Sequence, residues 1–180
     1  MRTVTALRER PRGRVDVELD GARWRTLPAD AVVGAGLLVG RGLDRETART
    51  LARELRRARA LERAARVLRH RDLSRQALAE RLPVPGRDDA IETLARNGYL
   101  DDARAAATRA GSLAARGWGD EAIRFRLEHE GFAREALEGA MAGLEPESER
   151  IQELLGRGRT ARWLAARGFD VEAAEVAPEP

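Results

Sequence analysis

The sequence of 180 residues contains no cysteine. This absence excludes disulfide bonds and thiolate metal sites. The two histidines, His70 and His129, lie far apart and have no neighbouring set of ligands, so we expect no structural zinc and no cofactor. Only three serines occur, and none stands in the sequence context of a nucleophile. Catalysis by a serine or cysteine nucleophile is therefore not expected.

Long apolar segments are absent as well. No run of about 18 apolar residues is available to cross a membrane, and residues 1–14 lack the apolar core of a signal peptide. A cytoplasmic protein without membrane association is expected. The hydrophobic fraction of 43% is sufficient for a real core, and the chain length suggests one or two domains of about 50–150 residues.

Lysine is missing too, so all 33 basic residues are arginine, and Asn97 is the only asparagine. This bias is typical of proteins from GC-rich genomes, and codon usage explains it without a functional reason. The net charge is only +3, so the sequence pI of about 10.6 partly reflects the strong basicity of arginine, although such a value is typical of nucleic-acid-binding proteins. A chain without lysine also cannot form a standard phosphate-binding loop.

Positive charge is concentrated in one part of the chain. Residues 41–75 contain 12 arginines and 5 acidic residues, whereas residues 76–144 contain 9 and 12, and residues 145–180 contain 5 and 8. Such an uneven distribution suits a charged partner, either the phosphate backbone of a nucleic acid or an acidic protein surface. It suits a solvent-exposed helix face equally well.

The N-terminal part of the chain has the alternation of a half-buried strand. Val15, Val17 and Leu19 alternate with charged residues, and the following Asp20 and Gly21 tolerate the positive φ angles of a tight hairpin turn. We predict a small antiparallel meander over residues 3–27, a short helix that starts at residues 28–30, and one more short strand at residues 37–40. Residues 1–43 are therefore expected to form a small β-rich unit.

A long helix is predicted to follow, because Asp44 is a good N-cap and neither glycine nor proline occurs between it and Pro83. The helix is expected to extend over residues 44–69, or roughly 40 Å. Its predicted buried face consists of apolar residues at steps of three and four, namely Ala48, Leu51, Leu55, Ala58, Leu61, Ala65 and Leu68. Arginines occupy the other faces.

Three glycines, Gly86, Gly131 and Gly168, indicate an internal repeat, because the residues eight and four positions before each of them share one helix face. We expect a mainly α protein with tandem three-helix repeats in an elongated, curved arrangement over residues 44–97, 98–144 and 145–180, the last being shortened. The helices of the middle repeat are predicted over residues 101–115, 120–130 and 134–142, with Asp101 and Asp120 as caps.

A glycine directly before an aromatic residue recurs at the predicted helix ends. Glycine can adopt the left-handed conformation that closes a helix, and the aromatic side chain can then pack back onto the last turn. The pairs are Gly98 with Tyr99, Gly117 with Trp118, and Gly131 with Phe132. The neighbouring Asp101 and Asp102 are best explained as helix caps, with partner contact and acid–base chemistry as alternatives.

Two aromatic residues need separate interpretation. Trp118 lies between two glycines and is expected to pack between helices. Phe125 lies between two arginines and opposite the predicted buried positions Ile123 and Leu127. It is either part of a contact surface for a partner or a packing residue against the neighbouring repeat, and the sequence favours neither.

Taken in order, these motifs resemble those of the RecX family of bacterial recombination regulators. The similarity extends over nearly the whole chain. The matching residues, which are expected to be mainly structural, are Gly98, Tyr99, Leu100, Asp101, Asp102, Gly117, Trp118, Gly119, Ile123, Leu127, Gly131, Phe132, Gly168 and Phe169. The sequence departs from the family pattern at Ala105, where an aromatic residue is usual, and in its short third repeat.

The resemblance implies a non-enzymatic protein that binds the RecA recombinase filament on single-stranded DNA and modulates, usually inhibits, its ATPase activity and strand exchange. It thereby implies a role in homologous recombination, DNA repair and the SOS response. Direct binding of single-stranded or duplex DNA through the arginine-rich helix is the alternative. A monomer is expected. The residues that we expect to contact a partner are Arg116, Arg124, Phe125, Arg126, Arg56, Arg57, Arg63 and Arg66.

Overall fold

The computed structural model describes residues 1–69 and 71–171. Over these residues the chain is mainly helical with a small N-terminal antiparallel sheet, as predicted. The strands are β1 (Arg2–Arg10), β2 (Arg14–Leu19), β3 (Ala22–Pro28) and β4 (Gly42–Leu43). The helices are α1 (Ala29–Gly34), α2 (Arg45–Leu68), α3 (Arg75–Arg81), α4 (Arg87–Arg96), α5 (Asp102–Ala115), α6 (Asp120–His129), α7 (Arg134–Ala142), α8 (Glu147–Gly156) and α9 (Ala161–Ala165).

The described residues fall into two compact units. Unit 1 contains those of Met1–His70 and Leu82–Leu94, which include the sheet, α1, α2 and most of α4. Unit 2 contains those of Arg71–Arg81 and Ala95–Pro180, which include α3 and α5 to α9. Each unit therefore draws on two separate segments of the chain.

The sheet of unit 1 has the strand order β3-β2-β1-β4, and its neighbouring strands are antiparallel. The predicted turn is present, because Asp20 and Gly21 have positive φ angles of 53° and 82°. Val15, Val17 and Leu19 of β2 are buried in a core that α1 and α2 complete. The meander predicted over residues 3–27 is therefore confirmed.

The strand predicted at residues 37–40 is wrong. Turns at residues 35–36 and 39–40, in which Gly36 and Gly40 have φ angles of 60° and 87°, flank this segment, and the short strand β4 follows it instead. Gly40 donates its N–H to the Val4 carbonyl at 2.8 Å, which fixes the turn against β1. The apolar run had suggested a strand, but the left-handed glycines bend the chain and leave Leu38 64% exposed.

The long helix α2 is confirmed and runs without a break. The Asp44 carboxylate accepts the Thr47 N–H at 2.7 Å, as expected of an N-cap. The predicted buried face is correct at Leu51, but Ala48 and Ala65 are exposed, and the buried alanines are Ala60 and Ala64. Alanine is abundant on every side of this helix, so its spacing identifies the buried face poorly. No helix in the described part of the chain is both long and apolar enough to cross a membrane.

The middle helices of unit 2 end close to where the sequence places them. Helices α5, α6 and α7 share one core, in which Ile123 and Leu127 are fully buried. Asp101 is the N-cap of α5 and accepts the Arg104 N–H at 3.0 Å. The prediction that Asp120 caps α6 is wrong, because Gly119 occupies the N-cap position and Asp120 is the first residue of the helix.

The second carboxylate of the acidic pair caps a different helix. Asp102 accepts the N–H of Arg75, the first residue of α3, at 3.0 Å. Burial raises the pKa of Asp102, and the hydrogen bond from Arg75 opposes that shift. Ser74 completes the junction, because its hydroxyl accepts the Ala77 N–H and donates to the Glu130 carbonyl at 2.6 Å. The capping interpretation therefore holds for Asp101, whereas Asp102 binds the first N–H of a different helix, α3, which the sequence did not predict.

The glycines of the repeated motif end helices as predicted. Gly98, Gly117, Gly131 and Gly168 have φ angles of 72°, 75°, 76° and 75°. The aromatic residues that follow them differ: Phe132 and Phe169 are buried, Trp118 is half-buried, and Tyr99 is 69% exposed. The expectation that the aromatic packs onto the last turn is wrong for Tyr99, because Leu100 fills the buried position there.

Candidate functional site

The structure divides the eight predicted contact residues between the two units. Arg56, Arg57, Arg63 and Arg66 lie on α2 in unit 1, whereas Arg116, Arg124, Phe125 and Arg126 lie on or beside α5 and α6 in unit 2. Three local surfaces emerge: an arginine row in unit 1, and an aromatic pair and an arginine–tryptophan stack in unit 2.

The first surface is a row of exposed arginines along one face of α2, which we call the arginine stripe. Steps of three, four and seven residues place its members on the same side of the helix over about 32 Å. They are Arg45, Arg49, Arg56, Arg59, Arg63 and Arg66. Arg66 lies 3.4 Å from Glu62, but no described carboxylate lies within ion-pair distance of the other five. The stripe is therefore a surface of largely uncompensated positive charge.

The sequence prediction located this stripe only in part. Arg57 lies off it, since its guanidinium contacts the Glu54 carboxylate at 3.6 Å and the Thr93 hydroxyl at 3.2 Å within unit 1. Arg45, Arg49 and Arg59 were not predicted. Their spacing would have identified them, because all three share the helical face of Arg56.

The second surface is a pair of stacked rings on α6, Phe125 and His129, which we call the aromatic platform. Phe125 is 68% exposed on the side of the helix opposite to Ile123 and Leu127. Its ring is nearly parallel to that of His129, with an angle of 6° and a centroid separation of 6.3 Å. The alternative that Phe125 packs against a neighbouring repeat is therefore wrong.

Neither arginine beside Phe125 is available at the platform as a free charge. Arg124 donates to the Glu138 carboxylate of α7 at 3.0 and 3.1 Å. Arg126 lies against the Trp118 ring, 3.8 Å from its centroid. Arg124 is thus paired with Glu138, and Arg126 lies against Trp118, so the platform itself presents mainly aromatic surface, which suits a protein contact better than a phosphate group.

The third surface is an alternating stack of guanidinium groups and indole rings, which we call the cation–π ladder. Its members, in order, are Arg126, Trp118, Arg167, Trp163 and Arg159, with guanidinium-to-centroid distances of 3.8, 4.6, 4.6 and 4.8 Å. Arg167 also donates to the Arg116 carbonyl at 3.1 Å. Trp118 contacts the core as predicted, yet two arginines, Arg126 and Arg167, also lie over its ring.

Sequence analysis missed most of this ladder. Arg159, Trp163 and Arg167 follow one another at intervals of four residues, which places them side by side across α9 and its ends. That spacing was a usable signal. The partner ring Trp118 comes from the α5–α6 connection, more than 40 positions earlier, and no local pattern indicates that contact.

Comparison with known proteins gives a consistent set of relatives. No protein-family model matches the sequence. Regulatory protein RecX of Escherichia coli O7:K1 (strain IAI39 / ExPEC) is 38% identical over 99 residues, which cover 47% of this chain and 60% of that protein. Regulatory protein RecX of Xanthomonas oryzae pv. oryzae (strain MAFF 311018) is 32% identical over 114 residues, which cover 56% of this chain and 71% of that protein.

A solved structure supports the fold. The crystal structure of a regulatory protein RecX superposes with a TM-score of 0.82 over 98% of both chains, at 18% sequence identity. At that identity the superposition establishes a shared fold. The sequence matches are shorter, since the chain spans about 60% of the length of the Escherichia coli relative.

Proposed function

Because the chain belongs to the RecX family, we propose that it is a non-enzymatic regulator that binds the RecA recombinase filament on single-stranded DNA. In this proposal it inhibits the ATPase activity and strand exchange of RecA and so influences DNA repair. Its action in the cytoplasm as a monomer is part of the same proposal. The observation that carries it is the aromatic platform, an exposed ring pair on a helix whose other face is buried.

The proposal includes the architecture of tandem three-helix repeats over residues 44–97, 98–144 and 145–180, after an N-terminal unit of residues 1–43. Left-handed glycines at positions 86, 131 and 168 support it, as does the common core of α5, α6 and α7. The repeat is an efficient way to present helix faces such as that of α6 to a partner.

Physical reasoning favours the platform as the protein contact. Aromatic side chains dominate the binding energy of protein interfaces because they bury a large rigid area at little cost in conformational entropy. Phe125 is among the few large apolar side chains of the described residues that are more than half exposed. Its burial against RecA would remove that exposed apolar area from water.

We expect Phe125→Ala to weaken binding of the full chain to RecA filaments about 30-fold, roughly the 2 kcal/mol typical of a central aromatic contact. RecA ATPase activity on single-stranded DNA, titrated with each variant, gives the apparent affinity. The matched control is Leu155→Ala, which removes an exposed apolar side chain of α8 in the same unit.

Two outcomes separate the site from the function. If Phe125→Ala inhibits RecA as well as the unchanged chain does, the platform is not the contact. If the unchanged chain at saturation leaves RecA ATPase activity unaltered, the proposed function itself is wrong.

A second candidate function is direct nucleic-acid binding through the arginine stripe. Five of its arginines lack a described carboxylate partner, and the row is about as long as one turn of duplex DNA. Surface cations that bind phosphates in place of counterions produce an affinity that falls steeply with salt. The arginine stripe, with its exposed and largely unpaired cations, is therefore expected to bind duplex DNA with such a salt-dependent affinity.

Replacement of Arg56, Arg59 and Arg63 by alanine is expected to reduce the salt dependence of duplex binding, by about 0.9 in log–log slope for each lost phosphate contact. Fluorescence anisotropy of a labelled duplex over a salt series measures it. Arg53→Ala with Arg57→Ala is the control on the same helix, because both of these arginines contact Glu54. An equal loss of slope per arginine removed in the two variants would show that net charge, and not the stripe, determines binding.

A further inference from the structure

The cation–π ladder of unit 2 has the composition and geometry of a ligand site. We infer that it binds single-stranded nucleic acid, with phosphates on the edges of its guanidinium groups and a base stacked on its exposed end at Arg159. This inference goes beyond the proposed action on RecA and beyond the arginine stripe, and it depends on neither.

The arginines of unit 2 differ in whether they pair with a carboxylate. Arginines that join its helices contact carboxylates: Arg109 binds Glu130 through both side-chain oxygens, and Arg124 binds Glu138. The three ladder arginines differ, since no described carboxylate lies within ion-pair distance of Arg126, Arg159 or Arg167. Three cations are therefore held side by side with no anion from the described residues between them.

Indole rings hold the guanidinium groups of the ladder in place. The Arg167 guanidinium lies over both the Trp118 and the Trp163 rings, 4.6 Å from each centroid, so two indole rings hold its position. One N–H of Arg167 reaches the Arg116 carbonyl, and its other N–H groups have no protein acceptor among the described residues. A planar guanidinium with free edges is well suited to bind a phosphate through two hydrogen bonds.

The exposed end of the ladder favours a nucleic acid over an acidic peptide as its ligand. Arg159 is exposed and contacts only the Trp163 ring among the described aromatic residues. Because Arg159 is exposed, a face of its guanidinium is accessible to a nucleobase, and nucleobases stack on arginine planes as they do on aromatic rings. A peptide carboxylate would use the edges of the guanidinium groups but not this face.

The tryptophans of the ladder provide the measurement. Trp24 lies in unit 1, so Trp24→Phe leaves only Trp118 and Trp163 as indole fluorophores. In that background we expect saturable quenching on titration with oligothymidylate. Arg159→Ala is expected to weaken the binding about tenfold and to reduce its log–log salt slope by about 0.7, the value for one phosphate contact on a single strand.

Two control variants test whether the position of the charge and the planar shape of the guanidinium matter for binding. Arg134→Ala removes an exposed arginine of α7 in the same unit and is expected to leave the affinity unchanged. Arg159→Lys retains the charge without the flat face and is expected to give an intermediate affinity. Circular dichroism of each variant confirms that it is folded.

Three results would overturn the inference. The first is quenching by polyglutamate at the same concentration as oligothymidylate, which would identify an acidic-peptide site. The second is an Arg159→Ala protein that binds as tightly as Arg134→Ala. The third is a lowered melting temperature of Arg159→Ala with no change in affinity, which would make the ladder purely structural. RecA is absent from the assay, so none of these results bears on the proposed RecA function.

Discussion

Arg150→Ala is expected to lower the free energy of unfolding of unit 2 by about 2–4 kcal/mol. Arg150 is only 6% exposed and is the one buried basic side chain among the described residues. Its guanidinium donates to the Glu145 and Trp118 carbonyls, each at 3.1 Å, and to the Asp120 carboxylate. It also lies 5.7 Å from the centroid of the Phe169 ring. Removal of this side chain breaks all of these contacts at once.

The expected loss of unfolding free energy depends on which hydrogen-bond acceptors Arg150→Ala leaves without a donor. Each hydrogen bond to a charged group contributes about 1.5–3 kcal/mol, but the contributions are not additive. The Asp120 side chain is 36% exposed, so water can solvate its carboxylate in the variant and reduce the loss. The Trp118 carbonyl lies at the α5–α6 connection, where loss of its donor would loosen the start of α6.

Denaturant unfolding measures this loss. The matched control is Arg157→Ala, just beyond α8, whose guanidinium pairs with Glu153 on the surface at 2.6 Å. That exposed pair is expected to contribute at most about 0.5 kcal/mol. If Arg150→Ala and Arg157→Ala have the same midpoint, burial does not make Arg150 important, and our account of this junction is wrong.

The sequence predicted those parts of the fold that local signals determine. Asp44 and Asp101 cap the helices expected of them, and the turn at Asp20 and Gly21 forms where the strand alternation ends. Phe125 was assigned to the face opposite Ile123, and the structure exposes it. Each of these features depends on residues only a few positions apart in the sequence. A local sequence pattern is therefore enough to predict it.

The errors arise where a distant residue decides the outcome. Asp120 resembles an N-cap, yet its N–H binds the Glu147 carboxylate at 2.5 Å and its own carboxylate binds Arg150. Trp118 contacts Arg167 because the end of α9 lies against the α5–α6 connection, a segment that is distant in sequence. Periodicity and capping rules contain no information on such pairs. Sequence reasoning therefore located the exposed ring of Phe125 and missed the contacts of the ladder.

The glycines show most clearly that one residue type can serve two physical purposes. Gly117 and Gly168 have positive φ angles, which an L side chain rarely adopts. Gly119 has an ordinary φ of −79°, so its conformation does not require glycine. Its N–H donates to the Arg167 carbonyl at 2.9 Å, and a Cβ atom there would overlap the Gly168 carbonyl and the Phe169 nitrogen. Glycine is needed at position 119 because another backbone passes against it.

We therefore expect Gly119→Ala to lower the free energy of unfolding of unit 2 by about 3 kcal/mol, since neither backbone can move without breaking hydrogen bonds. Thermal and denaturant unfolding of the full chain measure the change. Gly168→Ala is expected to cost at least as much, because a Cβ atom would meet Ala122 in addition to the unfavourable φ of 75°.

A control glycine-to-alanine variant, for which the expected change in the free energy of unfolding has the opposite sign, tests this explanation. Gly111 lies inside α5, and a Cβ atom added to it would meet no described atom within 4 Å outside its own helix turn, so Gly111→Ala adds helix propensity without a clash. It is expected to raise the free energy of unfolding by about 0.5–1 kcal/mol. The same chemical change would thus stabilise α5 and disrupt the approach of Gly119 to Gly168. If both variants change stability in the same direction, close backbone approach is not what requires glycine at position 119.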